Sequence, residues 1–414
     1  VLFAAGSLLA ALAPSLEWLL ASRIIQAIGG GALLPAAITI ACDRIPRHRW
    51  PVVFGVIGAS AEAGAVLGPL YGGIITDWIG WRWIFWTNIP LVTVLASLAI
   101  VIPKSRRSQG RLDLLGGLLL ATGLVLIVVG LGQRALFHFD SMMAIALVSA
   151  GVLVVLALVI VERRAEVPIV ATALFRQKVF VAALSTQFLV GGALVLALVT
   201  IPLMANTILS LSPLEGGLRL MKMTGAIPIG VVLSGYLVRR VGVRIPTLIG
   251  LILALGALLL MSTWDTTTSD PYLSIHLAGA GLGFGLVIPP LIVSAIDVSS
   301  DSSWSTSAAW STASRTFGMS IGLAVLTAWG MNYFQMLASG LTFPALMSLG
   351  SDATFEAQIT TYELGIADAS LRVFSWFFRI GALLVGLALI PAMYLVRAER
   401  ETGPLFTSIE VHQE

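Results

Sequence analysis

RIPRHRWPVVFGVIGASAEAGAVLGPLYGGIITDWIGWRWIF, residues Arg44–Phe85, is the stretch from which the rest of the chain can be read. Its first end carries Arg44, Arg47 and Arg49. Its middle, 52–75, is an apolar run interrupted by one ionisable residue, Glu62, and its far end holds Trp78, Trp81 and Trp83 with Arg82 as the lone basic residue. A run of this length crosses the roughly 30 Å hydrocarbon core of a bilayer as a helix. Basic residues are retained on the cytoplasmic side and Trp collects at the membrane–water interface. The stretch therefore reads as a helix that leaves the cytoplasm at 44–51 and emerges near Trp78.

The same asymmetry repeats along the chain. Basic patches recur at Lys104-Arg106-Arg107-Arg111, Arg163-Arg164-Arg176-Lys178, Arg239-Arg240-Arg244 and Arg397-Arg400, each separated from the next by paired apolar runs. The turns inside those pairs hold only Arg82 and Arg134. The runs predict spans at 1–13, 17–41, 52–75, 83–103, 114–133, 141–161, 180–208, 215–238, 245–263, 272–296, 304–330 and 373–396. The charge rule then predicts cytoplasmic loops at 42–51, 104–113, 162–179 and 239–244, a cytoplasmic tail, and an external polar loop at 331–372; the loop at 297–303, with Asp297 and Asp301 and no basic residue, is placed on the cytoplasmic side by counting spans. The fold class expected is an all-α polytopic protein of the cell (plasma or inner) membrane, with its C-terminus cytoplasmic.

Composition narrows the function. Charged residues make up 11% of the chain, against about 25% in a soluble domain. The basic residues are dispersed over span ends, so the net charge of +3 is no nucleic-acid footprint. Cys42 is the single cysteine and the four histidines are scattered, which excludes a disulfide and gives no metal-ligand spacing. There is no Walker loop, and Gly281-x-Gly283-x-Gly285 lies inside an apolar run rather than after a strand, so it is no dinucleotide site. No enzyme constellation, cofactor or metal is expected.

Within the spans, glycine is patterned. The third run reads Gly55-x8-Gly64-x3-Gly68-Pro69-x2-Gly72-Gly73. Residues four apart share a helix face, so Gly64, Gly68 and Gly72 form a smooth stripe where a neighbouring helix is expected to approach closely. Pro69 is expected to bend the helix beside it.

This pattern resembles the antiporter motif of the fifth transmembrane helix in exporters of the major facilitator superfamily. Leu19-x3-Arg23-x2-Gln26-x2-Gly29-Gly30-Gly31 resembles the fourth-helix motif, with Ala27 where the family usually has Gly. Gly80-Trp81-Arg82-Trp83-Ile84-Phe85-x2-Asn88-x-Pro90 is similar to the fourteen-span drug:proton antiporter-2 family. Gly235-x-Leu237-x2-Arg240-x-Gly242-x-Arg244 resembles the loop motif of the second half, with Arg239 in place of the usual acidic residue. The triple-Gly run with Pro289-Pro290, and Arg315-x2-Gly318-x3-Gly322, match the later pattern.

The resemblance implies a two-bundle transporter with two extra linker helices, N-terminally truncated by two spans and part of a third. It implies a remainder of the N-terminal bundle at 1–103, the two extra helices with their linkers at 104–178, a C-terminal six-helix bundle at 179–400 and a tail at 401–414. It also implies proton-coupled efflux of a small amphiphilic or hydrophobic compound. A native lipid or metabolite is the alternative cargo, and a non-transporting scaffold or sensor is the alternative of another class. Membrane lipid and protons are the expected partners; a periplasmic or envelope partner is left open.

Ionisable groups inside a span each cost about 2.5–3.5 kcal/mol at the membrane centre, so each invites a functional reading. Arg23 and Glu62 are the candidates for proton coupling or switching. Burial would raise the Glu62 pKa toward neutrality, while the plainer reading pairs it with an arginine such as Arg23. Glu215 and Arg219, four apart, form an expected ion pair with Lys222 one turn away. Gln187, Asn206, Tyr236, Trp310 and Arg315 are the candidate lining of a substrate cavity.

Overall fold

The structure, a computed structural model, describes residues 1–46, 49–101, 114–132, 141–162, 172–208, 213–299, 304–341 and 352–395. The expected loop at 104–113, residues 163–171 of that at 162–179 and the tail at 401–414 lie outside the described residues. Sixteen helices are described, and no strand among the described residues. They are α1 Leu2–Ala11, α2 Leu16–Gly31, α3 Leu33–Arg44, α4 Trp50–Ile79, α5 Arg82–Trp86, α6 Asn88–Val101, α7 Leu114–Gly132 and α8 Ser141–Glu162. There follow α9 Thr172–Phe175, α10 Lys178–Thr207, α11 Pro213–Thr224, α12 Ala226–Val241, α13 Arg244–Met261, α14 Tyr272–Asp297, α15 Trp304–Ala338 and α16 Asp352–Ala392. Seven helical stretches among the described residues are long and apolar enough to cross a membrane. The protein is an all-α multi-pass membrane protein.

Three expected spans are broken, and each break has the same cause. α2 ends at Gly31, α5 at Trp86 and α11 at Thr224. Each is the residue four before a proline: Pro35, Pro90 and Pro228. Proline has no N–H, so those carbonyls lose their intrahelical donor. Pro202, Pro289, Pro290 and Pro391 lie inside helices that continue.

A second correction concerns the polar stretch 331–372. It is not a long loop. α15 runs on to Ala338 and α16 begins at Asp352. At 1.5 Å per residue the 41 residues of α16 extend about 60 Å, about twice the roughly 30 Å hydrocarbon core. Polarity marks where a helix leaves lipid, not where it ends. No proline occurs between Asp352 and Ile390 to stop it, and an Arg372–Asp368 pair at 2.9 Å supports it from within.

The later helices form the main core. α14 is buried on almost every side, as expected of a helix apolar all round. Its three alternate glycines serve two neighbours. A Cβ on Gly281 would lie 2.0 Å from the Met223 carbonyl oxygen and one on Gly285 would lie 2.2 Å from that of Ile227, both toward α11 and α12. One on Gly283 would lie 2.6 Å from the Ala254 nitrogen of α13. α10 and α15 cross just as closely. A Cβ on Gly318 would lie 1.9 Å from the Phe188 oxygen, and one on Gly191 would lie 2.2 Å from the Arg315 oxygen. α7 and α8 pair through Gly123, Gly130 and Gly151.

Candidate functional site

The earlier helices meet this core along α3 and α4, which pack on α12, α14 and α15. At the end where the basic loops lie, the contact is tight. Trp50 stands edge-on to Trp304 at 5.0 Å between centroids and tilts against Phe54 at 5.8 Å. Its indole N–H donates to the Ile45 carbonyl at 2.8 Å. A Cβ on Gly58 would lie 3.3 Å from Val231 Cγ1. Further along α4 the glycine face is uncovered while another face stays against α11: a Cβ on Gly64 or Gly68 would meet nothing within 4 Å, and one on Gly72 would reach only Ile84 of α5, at 3.7 Å. The stripe expected to be a tight interface is open along Gly64 and Gly68. A four-residue glycine repeat makes a smooth face but does not dictate what covers it. The side chains of Glu62 and Pro69, and the surroundings of Gly55 and Gly73, lie outside the described residues.

Where the two sets of helices touch, a small cavity of about 10 Å³ remains, close to the volume one water needs. Leu34 and Ile38 of α3 and Phe54, Ile57 and Gly58 of α4 form one wall; Gln187 of α10, Ile288 of α14, and Thr312 and Arg315 of α15 form the other. Gln187 is 2% exposed. Its amide N–H donates to Ser311 Oγ at 3.3 Å, while its carbonyl oxygen is buried with no hydrogen-bond partner. Ser311 was missed as a site residue. Its signal was present: Ser307, Ser311 and Ser314, at i, i+4 and i+7, are all buried. Ser314 donates to the Leu184 carbonyl at 2.7 Å. They form a stripe of small hydroxyls facing α10.

Two of the five expected cavity residues, Gln187 and Arg315, thus come together. The other three do not join them. Tyr236 is 56% exposed and shares its face of α12 with exposed Ile229 and Leu233, the face a lipid-covered helix turns outward. Asn206 is exposed at the far end of α10, beside Gly216. Trp310 packs edge-on against Phe175 at 5.3 Å, in a separate groove between α9, α10 and α15.

Arg23 lies elsewhere again. It is exposed on α2, because α2 is covered chiefly by α1. Its guanidinium donates to Gln26 Oε1 at 2.5 Å and sits 5.7 Å from the centroid of Phe85. Gln26 passes the chain on by donating to Ser7 Oγ at 2.6 Å, and Asn88 donates to the same hydroxyl at 3.3 Å. The Gln26 and Gly29 motif therefore ties α2 to α1, where a Cβ on Gly29 would lie 2.3 Å from the Phe3 nitrogen. At the end away from the basic loops, Lys222 bridges α11 to the loop before α14. Its ammonium lies 2.9 Å from Asp270 Oδ2 and 2.7 Å from Ser274 Oγ. The Ser274 hydroxyl, and then Lys222, hold the Asp270 carboxyl below the usual carboxylate range. Arg219 borders a pocket with Trp264 and Asp265.

The sequence pattern of the Major Facilitator Superfamily matches residues 1–323. The chain belongs to the Major Facilitator Superfamily. Relatives agree with that membership. A triacylglyceride transporter of Mycolicibacterium hassiacum is 36% identical over 80% of this chain, and the chain spans 65% of that relative's length. A triacylglyceride transporter of Mycolicibacterium smegmatis is 33% identical over 92% of the chain and 71% of its own length. A probable triacylglyceride transporter of Mycobacterium leprae is 32% identical over 97% and 82%. Among solved structures, a bacterial homolog of the human lysosomal transporter Spinster, inward-facing and unoccupied, aligns over 95% of this chain and 81% of its own, with a TM-score of 0.48 and 18% identity. The superfamily is one of transporters, and the small cavity lies where the two sets of helices touch.

Proposed function

We propose that this transporter moves a neutral, apolar acylglycerol lipid across the membrane by alternating access, driven by proton exchange. The observation that carries the reading is the uncovered glycine stripe of α4. Its start is closed on the later helices at Trp50–Trp304 and Gly58–Val231, and its face at Gly64 and Gly68 is open. By the charge rule the closed end is cytoplasmic and the opening external. Supporting it, the cavity at the contact is lined, among the described residues, by aliphatic and aromatic groups with Gln187, Thr312 and Arg315 as its polar residues. The Arg315 cation disfavours a cationic amphiphile there, while Gln187 and Arg315 carry N–H groups suited to an ester carbonyl. The relatives named triacylglyceride transporters favour the lipid over the drug-like cargo.

Proton coupling in this reading falls to Glu62, alternately protonated and ionised as access switches, with Arg23 and Gln26 adjusting the packing of α2 on α1. The membrane potential contributes about 2.3 kcal/mol per charge per 100 mV, so no nucleotide is required. Reconstitution of the full-length transporter in proteoliposomes tests this. An imposed pH gradient should speed transfer of a fluorescent triacylglyceride to acceptor vesicles. A gradient that drives a lipophilic cation and leaves the triacylglyceride unmoved would refute the proposal.

A further inference from the structure

We infer that a second apolar chamber, between α7, α10, α15 and α16, holds one hydrocarbon chain of the transported acylglycerol on the external side of the membrane; this rests on the lipid reading above. The chamber is a groove of about 820 Å³, open on one side past the exposed Leu203, Leu323 and Met331, within the roughly 300–1,000 Å³ usual for small-molecule sites. It arises from the way two helices cross. α10 and α15 touch backbone to backbone at Gly191, Gly318 and Gly322. Past that point their facing residues enlarge to Val199 and Leu203 on one helix and Leu323 and Met331 on the other, so the helices separate toward their far ends. Phe374 of α16 and Val128 of α7 close the remaining sides. Phe377 is locked beneath, its ring tip lying where a Cβ on Gly330 would stand, 2.3 Å away.

The lining decides the occupant. Among the described residues no ionisable side chain borders the chamber, so neither a phosphate nor an ammonium headgroup meets a counter-charge from them. Three of its four hydroxyl side chains already donate to their own helices: Thr207 to the Leu203 carbonyl at 2.8 Å, Thr327 to that of Leu323 at 3.0 Å and Ser370 to that of Ile366 at 2.8 Å. Ordered water requires two to four polar partners, which such a lining does not offer. Hydrocarbon satisfies it fully. α10 and α15 carry Gln187, Ser311 and Arg315 on one side of the glycine crossing and line the chamber on the other. A lipid released toward the outside can lodge a chain here while its ester groups are still between the two sets of helices.

The test uses the full-length transporter in proteoliposomes with a triacylglyceride bearing a diazirine in one chain. Wild-type protein should be photolabelled on α15 between Ser320 and Phe334 and on α16 between Ser370 and Phe377, and excess unlabelled triacylglyceride should abolish that labelling. Thr327→Trp, which narrows the chamber, should lose the labelling and slow transfer of long-chain triacylglyceride; Ile229→Trp, on the exposed face of α12 away from the chamber, should do neither. Labelling displaced by phospholipid and not by triacylglyceride would mean ordinary bilayer lipid and overturn the inference. So would labelling elsewhere in a protein that still transports triacylglyceride, an outcome that leaves the lipid reading intact. Absence of triacylglyceride transport by the wild type would defeat the lipid reading itself, and the inference with it.

Discussion

Substituting Gly318 by Ala probes one of the closest helix crossings among the described residues. The added Cβ would lie 1.9 Å from the carbonyl oxygen of Phe188. An ordinary contact begins near 3.4 Å, so α10 and α15 must separate by about 1.5 Å at a point where both partners are backbone and no side chain can rotate away. Overpacking of a filled interior costs about 1–3 kcal/mol, and here the small residues are the means by which two helices approach in lipid. Gly64→Ala is the matched control. Its Cβ meets nothing within 4 Å, so replacing a helical glycine should stabilise by about 0.5–1 kcal/mol. The chain supplies its own reporter: Cys42 is the single cysteine and is buried, so a thiol-reactive dye in detergent registers unfolding. Gly318→Ala should melt several degrees below the wild type, and Gly64→Ala at or above it. Adding Gly191→Ala to Gly318→Ala should cost less than the two separately, because the helices have already moved apart at the shared crossing. A Gly318→Ala protein as stable as the wild type, or a Gly64→Ala protein less stable than it, would refute the assignment of the tight and open glycine faces.

Further outcomes follow from the same geometry. Gly64→Leu and Gly68→Leu should insert and melt like the wild type yet lose transport, since bulk on the open stripe obstructs closing rather than the state seen here; normal transport by both would mean that the stripe never closes. Glu62→Gln should abolish the response of transport to a pH gradient while leaving lipid binding intact, and an unchanged gradient dependence in proteoliposomes would exclude it as the coupling group. Asp270→Asn should loosen the tie between α11 and the loop before α14 by less than about 1 kcal/mol, because the pair with Lys222 is partly exposed and screened. Asp270 is depressed in the folded state, so the wild type's advantage over Asp270→Asn should be complete above about pH 4, the ordinary aspartate value, and fade as pH falls below it. Thermal melts across pH at low and high salt would show this. Gln187→Leu removes a buried acceptor that has no partner together with the long hydrogen bond to Ser311, two effects of opposite sign that should leave only a small change in stability, and it should weaken transfer of an ester lipid relative to a hydrocarbon probe.

Much of the architecture was legible in the order of residue types. A membrane admits helices with internally satisfied backbones, so apolar length and basic-patch alternation alone point to an all-α multi-pass protein, and every expected apolar run contains a helix. The broken spans were half legible. Pro35, Pro90 and Pro228 end a helix four residues earlier, whereas Pro289 and Pro290 do not, and only the packing around α14 separates the two cases. The glycines show the limit most clearly. Spacing announces a smooth face at Gly64, Gly68 and Gly72 and another at Gly281 and Gly285 in the same terms, yet the first is largely open and the second touches backbone. The pairing of Gln187 with Ser311, the outward turn of Tyr236 and the separation of Arg23 from the cavity are likewise facts of tertiary placement. Local sequence determines which segments can enter lipid and which faces are smooth or polar, because those are properties of one helix and its solvent. Which smooth face meets another helix, and which polar groups meet each other, depends on the relative position of helices far apart in the chain, and that is settled only by how the whole set packs.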